Sequence, residues 1–431
     1  MNISKFSFYV LFTSLIFFIV IFAVLGFENR KLATDLVYWK LLFEKQLVSS
    51  KNGPFVDGKY EIPPNDMFAN QISKYIAEKI SFITIDLRVM ELVVYENGVK
   101  SKTMPVASKG KEGSFRETPS GNYFVIQKFG TKFSSVSKVW MPWSVQIYGN
   151  YFIHGMPYFS SGRLVTSPFS WGCIRLADVD AKEIYNFVKK GTPILISDDI
   201  DPLFTKKPNE IIEIIEVPDI SAKSFAIFDF SSNEQILAKD EDDVLPIGYL
   251  TKLLTSLVAS DIANLDKNVT FNGEKILALD LLPIMFSEST KSDNATKTVI
   301  AMLGEKEFMT NIQSKLNSHF LNNTKILEPI GDSDQNISNV VDLTKFLRFL
   351  LEKRKLITEL SKESIDQVYK NNKGFLGGIL TNQKRHALTA WKFKNKDGEE
   401  YIFGITILNS TDSKVDTNNL LDWLKKTYAL E

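Results

Sequence analysis

The chain has 431 residues, of which 44% are apolar and 24% are charged, and its formal net charge is zero. This length fits two folded domains with additional segments, and the apolar share is sufficient for ordinary globular cores. The balanced charge argues against a nucleic-acid-binding protein. One cysteine, Cys173, excludes an intrachain disulfide, and three histidines are too few for a ready His/Cys metal cluster, so we expect no metal site.

The N-terminal segment 1–50 is predicted to hold a membrane anchor and a helical stalk. Residues 6–27 contain no charged side chain and are long enough to cross a bilayer as one helix. A cleaved signal peptide is the alternative, although the apolar run exceeds a usual signal core and no small-x-small site follows it. Apolar residues then recur at helical spacing, at Leu32, Leu36, Trp39, Phe43 and Leu47. This spacing predicts an amphipathic stalk or a helix packed on the following domain.

Residues 51–80 are predicted to be a linker, because Gly53-Pro54 and Pro63-Pro64 interrupt regular structure. A mostly-β domain is then predicted over residues 81–198. Its strands are expected at 82–86, 89–95, 121–127, 145–147 and 193–197, with a hairpin turn at 97–98 and a helix at 178–189.

Residues 199–218 are predicted to form a second linker, because the stretch from Ser197 to Asn209 is charged and contains two prolines. The pattern of residues 219–431 predicts an α+β domain. Its strands are expected at 224–230, 235–239, 387–393 and 401–408, and its helices at 250–259, 294–303, 305–316 and 341–351.

Two segments of the first domain carry candidate chemistry. Residues 151–157 include His154 after a strand-like run, and residues 170–176 include Cys173 after a glycine. A cysteine attacks as its thiolate, which a free thiol with a pKa of about 8.5 rarely forms at neutral pH, and an imidazole can accept the proton. Gly172 permits a backbone geometry that aims N–H groups at a developing oxyanion. Both side chains can therefore project into one cleft.

The run from Ser170 to Arg175, with His154 before it and Thr118-Pro119-Ser120-Gly121 further upstream, resembles the L,D-transpeptidases of the YkuD type. The resemblance implies that Cys173 is the acyl-accepting nucleophile and that His154 is the base. It also implies that the backbone carbonyl of Gly155 orients the imidazole.

The same resemblance implies an oxyanion hole at the backbone of Gly172 and Cys173. Arg175 would position the substrate or brace the catalytic loop, and Ser170 would support that loop. One residue departs from the family pattern: the usual histidine before Gly-Cys is Trp171 here. We expect Trp171 to form a pocket wall or to pack.

The run Pro246-Ile247-Gly248-Tyr249 with Lys252 after it, and Ser292-Asp293-Asn294 further on, resembles the D-alanyl-D-alanine carboxypeptidases of the penicillin-binding, serine β-lactamase-like type. Tyr249 stands where the nucleophilic serine of that family is expected, whereas Lys252 remains, and Ser292 and Asn294 fit a Ser-x-Asn motif. A phenol is bulkier than a serine hydroxyl and a poor substitute for it. The resemblance implies an inactive domain that binds peptide stems, positions the first domain, or serves as a scaffold without a ligand.

Together these resemblances imply a peptidoglycan L,D-transpeptidase that forms 3-3 cross-links. Cys173 would form a thioester with release of D-alanine from a tetrapeptide stem, and an amine of a neighbouring stem would then attack. Water as the acceptor would give an L,D-carboxypeptidase, and a non-catalytic cell-wall peptide-binding or regulatory protein is the remaining alternative. This chemistry requires no cofactor. An active Cys173 is expected to be alkylated near neutral pH faster than a model thiol.

The expected partners are peptidoglycan stem peptides and the membrane, through the one N-terminal helix, and not nucleic acid. The catalytic domains are expected on the outer, cell-wall side of the cytoplasmic membrane. Basic residues after the span favour the opposite orientation by the positive-inside rule, but long folded domains often translocate regardless of loop charge.

Overall fold

The computed structural model describes residues 66–198, 211–213, 215–287, 291–364, 374–380 and 385–431. The predicted membrane helix at 6–27, the stalk and most of both linkers lie outside these residues. Among the described residues, no helix combines the length and the apolar character that a bilayer crossing requires. All of them belong to one compact unit, Gly58–Glu431.

The first domain is built mainly from strands, as its sequence predicts. Its helices are α1 (Asp66–Ala77) and α2 (Asp178–Phe187). Its strands are β1 (Phe82–Asp86), β2 (Glu91–Glu96), β3 (Val99–Pro105), β4 (Gly121–Phe124), β5 (Gln127–Ser134), β6 (Val139–Tyr148), β7 (Tyr151–His154), β8 (Ile174–Arg175) and β9 (Pro193–Ser197). The strands predicted at 82–86 and 193–197 are confirmed with the same bounds.

These strands form two sheets. The first has the order β3-β2-β1-β9-β4, and its central strands β1 and β9 run parallel with Ile83 opposite Ile194. Both isoleucines are fully buried, as expected for strands at the centre of a covered sheet. The second sheet has the order β5-β6-β7-β8, and β7 runs parallel to β8. The second sheet carries both segments that the sequence singles out.

Helix α1 lies within the segment predicted as a linker, 51–80. Phe68, Ile72 and Tyr75 follow one another at helical spacing and pack with Phe82 of β1. The Tyr75 and Phe82 rings are 5.2 Å apart between centroids. The second half of that segment is therefore a helix held against the first sheet.

The second domain contains helices and an antiparallel sheet, which confirms the predicted α+β class. Its helices are α3 (Thr251–Ile262), α4 (Leu281–Met285), α5 (Lys291–Ala301), α6 (Glu305–Ser318), α7 (Val340–Lys353), α8 (Lys355–Ser364) and α9 (Ser413–Tyr428), with short 3-10 helices at Gly248–Leu250 and Ala278–Asp280. Its strands are β10 (Ser224–Asp229), β11 (Glu234–Lys239), β12 (Leu245–Pro246), β13 (Asn268–Phe271), β14 (Glu274–Leu277), β15 (Ile337–Ser338), β16 (Phe375–Leu380), β17 (Ala387–Lys394) and β18 (Glu400–Leu408).

The main sheet of this domain has the order β11-β10-β18-β17-β16 and is antiparallel throughout. The four strands predicted for this half are confirmed to within one residue at each end. Helix α3 is buried along its whole length. An amphipathic helix of a surface layer would keep one polar face in water, so α3 is an interior helix.

The two domains share one hydrophobic core. A single cluster of buried side chains includes Tyr123 and Tyr148 of the first domain together with Ile262 and Leu316 of the second. The contact is close at Gly149, where a Cβ atom would lie 2.4 Å from Ile262 Cγ2. The C-terminal end of α3 is therefore packed directly against the turn between β6 and β7.

Candidate active site

The sheet β5-β6-β7-β8 brings the predicted cysteine and histidine to one pocket. His154 ends β7 and lies opposite Arg175 of β8 in the parallel register, and Cys173 directly precedes β8. Alternate residues of a strand point to the same face, so Cys173, Arg175 and His154 share a face of the sheet. All three side chains line the same pocket of about 350 Å³.

The imidazole of His154 is held by the backbone next to it. Nδ1 lies 2.6 Å from the carbonyl oxygen of Gly155. Since a carbonyl oxygen only accepts hydrogen bonds, Nδ1 carries the hydrogen, and Nε2 keeps its lone pair. Gly155 cannot be larger, because a Cβ there would lie 2.3 Å from Asp178 Oδ1. Asp178 instead accepts a 2.7 Å hydrogen bond from Met156 N, which fixes the chain after the histidine.

Burial keeps both reactive groups neutral at rest. Burial lowers the pKa of His154 from 6.5 to about 4, with the Gly155 carbonyl opposing the shift. Burial raises the pKa of the Cys173 thiol to about 11, and the Phe152 backbone and Arg175 counteract this only in part. The resting pair is thus a thiol and an imidazole. The expected fast alkylation near neutral pH does not fit this environment, since the thiolate is the reactive form.

The loop that carries Cys173 depends on Gly172. Its φ of +97° suits glycine, and a Cβ would lie 2.2 Å from Cε1 of Tyr151. Ser170 closes the loop from inside: its Oγ accepts a hydrogen bond from Gly172 N at 3.0 Å and donates one to Cys173 O at 2.5 Å. The N–H of Gly172, which the sequence suggested as an oxyanion donor, is therefore occupied within the loop.

Thr118 ties a second loop to the first. Its Oγ1 accepts a 2.8 Å hydrogen bond from Gly110 N and donates a 3.0 Å hydrogen bond to Gly172 O. The Thr-Pro motif marked this segment in the sequence, but local pattern gave no hint of a partner 54 residues away. The reason for a threonine here is thus a buried hydroxyl that bridges two loops.

Arg175 and Trp171 line the pocket that holds Cys173. Arg175 Nη1 donates to Ser167 O at 2.9 Å, while its buried Nε has no hydrogen-bond partner among the described residues. Trp171 is partly exposed and lines the pocket. The Arg116 guanidinium carbon lies 3.4 Å from the centroid of the Trp171 ring. Arg116 also pairs with Asp266 of the second domain. Sequence analysis missed Arg116 because its partners are distant in the chain.

The second predicted site lies in a different part of the molecule. Lys252 Nζ donates to Ser292 Oγ at 2.8 Å and to Asp293 Oδ1 at 2.6 Å, and it lies 3.9 Å from the centroid of the Tyr249 ring. Tyr249 OH is 3.4 Å from Asp293 Oδ2. Asn294 is exposed, and its neighbour Asp293 joins the cluster instead.

The Tyr249 phenol of this cluster is poorly suited to nucleophilic attack. Burial raises the pKa of Tyr249 to about 12, with Asp293 adding to the shift, so the phenol stays protonated at neutral pH. Within the described residues, no three His, Cys, Asp or Glu side chains are grouped as metal ligands in either domain.

Comparison with known proteins finds similarity in the first domain. Residues 80–196 match the family model described as the L,D-transpeptidase catalytic domain, YkuD. The chain is also similar to a protein named D-alanyl-D-alanine endopeptidase from Escherichia coli (strain K12), with 29% identity over 148 residues, which are 30% of this chain. The match covers 47% of that relative, so the chain spans about half of its length.

Similar solved structures include proteins of two kinds. Penicillin-binding protein D2 from Listeria monocytogenes in its cefotaxime-bound form is 14% identical and covers 49% of this chain and 98% of its own, with a TM-score of 0.42. An L,D-transpeptidase (Yku) from Stackebrandtia nassauensis is 23% identical and covers 30% of this chain and 65% of its own, with a TM-score of 0.25.

Proposed function

We propose that this chain is a peptidoglycan-acting cysteine acyltransferase that forms 3-3 cross-links, because residues 80–196 match the family model of the L,D-transpeptidase catalytic domain, YkuD. One observation carries the proposal: the Cys173 thiol shares a pocket with an imidazole whose Nδ1 is held 2.6 Å from Gly155 O. This arrangement leaves Nε2 of His154 as a proton acceptor, which is what a buried thiol needs for attack.

The first half-reaction forms a thioester. Cys173 Sγ attacks the carbonyl carbon that joins the third residue of a tetrapeptide stem to its terminal D-alanine. The thiol proton passes to His154 Nε2 and then to the nitrogen of D-alanine as the C–N bond breaks. The acyl group remains on sulfur, and D-alanine leaves with its amine.

The second half-reaction regenerates the enzyme. The amine of a neighbouring stem attacks the thioester carbonyl and the C–S bond breaks. The amine proton passes through His154 to the departing sulfur, which restores the thiol of Cys173. The product is an amide between two third-position residues. If water attacks instead, the product is a shortened stem and the enzyme is an L,D-carboxypeptidase.

The resting protonation states support general-base activation during attack. With the pKa of Cys173 at about 11 and that of His154 at about 4, a preformed thiolate–imidazolium pair is disfavoured. The N–H of Cys173 is the oxyanion donor that we propose, since Gly172 N is bonded to Ser170. The buried Nε of Arg175 is a donor suited to a carbonyl or carboxylate oxygen of the stem.

Peptidoglycan lies outside the cytoplasmic membrane, so we propose that residues 6–27 anchor the chain there with both domains on the wall side. The testing experiment uses the full chain expressed in cells. Protease added to intact spheroplasts is expected to digest both domains. Protection of both domains until lysis would overturn the proposed orientation.

Incubation with a carbapenem, a β-lactam that acylates cysteine, tests the chemistry. Intact-mass spectrometry is expected to show one adduct on the wild-type chain and none on Cys173→Ala. A tetrapeptide-stem dimer with a 3-3 linkage is the expected product with disaccharide-tetrapeptide substrate. An adduct that survives Cys173→Ala would move the activity elsewhere, and a product shortened by D-alanine without dimers would assign hydrolysis. No adduct and no product would favour the binding-protein alternative.

A further inference from the structure

The pocket around Cys173 is not built by its own domain alone. Ser260, Asp261, Ile262, Ala263 and Asn264, at the C-terminal end of α3 and just beyond it, line the same pocket as Cys173 and His154. These residues belong to the second domain. Asn264 is exposed, whereas the side chain of Asp261 is buried.

Asn150 connects this wall to the thiol. Its Nδ2 donates a 3.2 Å hydrogen bond to Ile262 O, and its own backbone carbonyl lies 3.7 Å from Cys173 Sγ as acceptor. The C-terminal end of α3 therefore holds Asn150, whose backbone carbonyl contacts the Cys173 thiol. A shift of α3 would reach the sulfur through one residue.

A buried cluster of charges anchors the wall. Asp261 pairs with Lys315 at 2.8 Å and with Arg354 at 2.9 Å, and all three side chains are nearly or fully buried. Arg354 also reaches the first domain, where its Nη1 donates to Glu117 O at 3.3 Å and lies 3.8 Å from Glu117 Oε2. Lys315 donates to Tyr123 OH at 3.2 Å. The cluster thus has members from both domains.

Two routes lead from this cluster to the loop that carries the nucleophile. Glu117 precedes Thr118, whose hydroxyl is bonded to Gly172 O. The rings of Tyr123, Tyr148 and Tyr151 follow one another at centroid distances of 5.4 and 5.9 Å, and Tyr151 lies against Gly172. Because interiors are close-packed, a displacement at the cluster is transmitted along these contacts.

We infer that the second domain is a fixed part of the cysteine site: the end of α3 forms a wall of the substrate pocket, and the Asp261–Lys315–Arg354 cluster positions the Cys173 loop through Glu117. The substrate class that meets this wall rests on the proposed function. The pocket wall formed by α3 and the positioning of the Cys173 loop do not rest on the proposed function, because thiol reagents report on both without any substrate.

The wall is tested with thiol reagents of two sizes on the full chain. Asn264→Trp is exposed, so it is expected to fold, and it places a large ring at the pocket mouth. We expect labelling of Cys173 by a fluorescein maleimide to slow at least about tenfold, while labelling by the much smaller iodoacetamide changes less than about twofold. Lys275→Trp, an exposed change on β14 away from the pocket, is expected to alter neither rate. Equal rates for Asn264→Trp and wild type would refute the wall.

The positioning role is tested with two buried arginines. Arg354→Met removes the cross-domain charge, and Arg348→Met is the matched control, because Arg348 is equally buried and its described partners Glu352 and Asn233 lie within the second domain. Loosening of the loop exposes the thiol, so Arg354→Met is expected to raise the iodoacetamide rate about tenfold and to shift its pH profile to lower pH. Arg354→Lys is expected to recover part of the wild-type behaviour.

Melting temperatures decide between positioning and general destabilisation. A rate change for Arg354→Met that Arg348→Met reproduces at an equal loss of Tm would overturn the positioning role, as would an unchanged pH profile. If Arg354→Met does not fold, Glu117→Gln replaces it with the same expected shift. Carbapenem acylation is measured in parallel: its absence in the wild type, with the thiol-reagent results as expected, would refute the proposed function and leave this inference standing.

Discussion

The Cys173 site and the Tyr249 site each place a thiol or hydroxyl group near a basic side chain, yet the partners of that basic side chain differ. His154 has Nδ1 held by Gly155 O and keeps a lone pair on Nε2, whereas the ammonium of Lys252 donates to Ser292 and Asp293. A base must have a free lone pair to accept a proton. The Lys252 ammonium, bound to a carboxylate and a hydroxyl, has no lone pair and cannot accept a proton until it loses one, although burial lowers its pKa against the opposing effect of Asp293.

The largest effect is expected from removing the base of the Cys173 site. His154→Ala is expected to lower the rate of Cys173 acylation by a carbapenem roughly 10²- to 10⁴-fold, the usual contribution of general-base catalysis. Intact-mass time courses measure this rate. His386→Ala is the control, because burial also lowers the pKa of His386 to about 4 but this histidine lies in the second domain. An acylation rate for His154→Ala close to wild type would remove the base from the mechanism.

The next effect concerns pH. Since burial raises the pKa of Cys173 to about 11, the thiolate fraction rises about tenfold per pH unit up to that value. Alkylation by iodoacetamide is therefore expected to climb without a plateau between pH 7 and 10 and to be roughly 10²-fold slower at pH 7 than for a free thiol of pKa about 8.5. Acylation, which needs neutral His154, should fall only as the pH drops towards 4. A plateau near pH 7 would indicate a preformed thiolate.

A smaller effect is expected from Thr118→Val, which keeps the shape but removes the hydroxyl between Gly110 and Gly172. The change leaves the buried Gly110 N–H and Gly172 C=O unpaired, at a cost of about 1–3 kcal/mol each. Because part of this cost is relieved by displacement of the Cys173 loop, the acylation rate should fall about tenfold. Thr192→Val is the control, because its hydroxyl accepts a hydrogen bond from Lys189 N away from the pocket. Equal acylation rates for both variants would show that the bridge to Gly172 does not affect the nucleophile.

No effect is expected from restoring a serine at the Tyr249 site. Tyr249→Ser in a Cys173→Ala background should give no carbapenem adduct, because Lys252 remains bound to Asp293 and Ser292. Intact mass measures the adduct. Formation of one would mean that the hydroxyl alone was missing and that the ion pair with Asp293 does not prevent catalysis.

Local pattern was sufficient for two strands of the first sheet. Phe82–Asp86 and Pro193–Ser197 were predicted to the residue, because their apolar side chains and flanking turn residues define a strand without outside information. Helix α9 was missed because its buried leucines are spread among polar residues that mask the periodicity. Helix α1 was missed because a proline-rich stretch precedes it.

Site residues that lie within a short sequence motif could be predicted, whereas site residues that come together only in the folded chain could not. His154, Gly155, Ser170 and Cys173 were identified because they lie within two short segments. The pairing of Arg116 with Asp266 joins residues 150 positions apart, and no periodicity encodes such a contact. Asp293 was visible in the sequence only as the middle residue of a motif, since its role depends on the position of Lys252 in the folded chain.

The buried charge cluster around Asp261 links the two domains, so that neither is expected to fold normally without the other. Removing one member of a buried ion pair leaves an uncompensated charge and costs about 3–5 kcal/mol, a large share of a domain's stability. A chimera that exchanges either half with a distant relative must therefore carry Glu117, Asp261, Lys315 and Arg354 together or replace all four with apolar residues of similar volume. In modular terms, the unit of exchange is the whole of Gly58–Glu431 and not either domain.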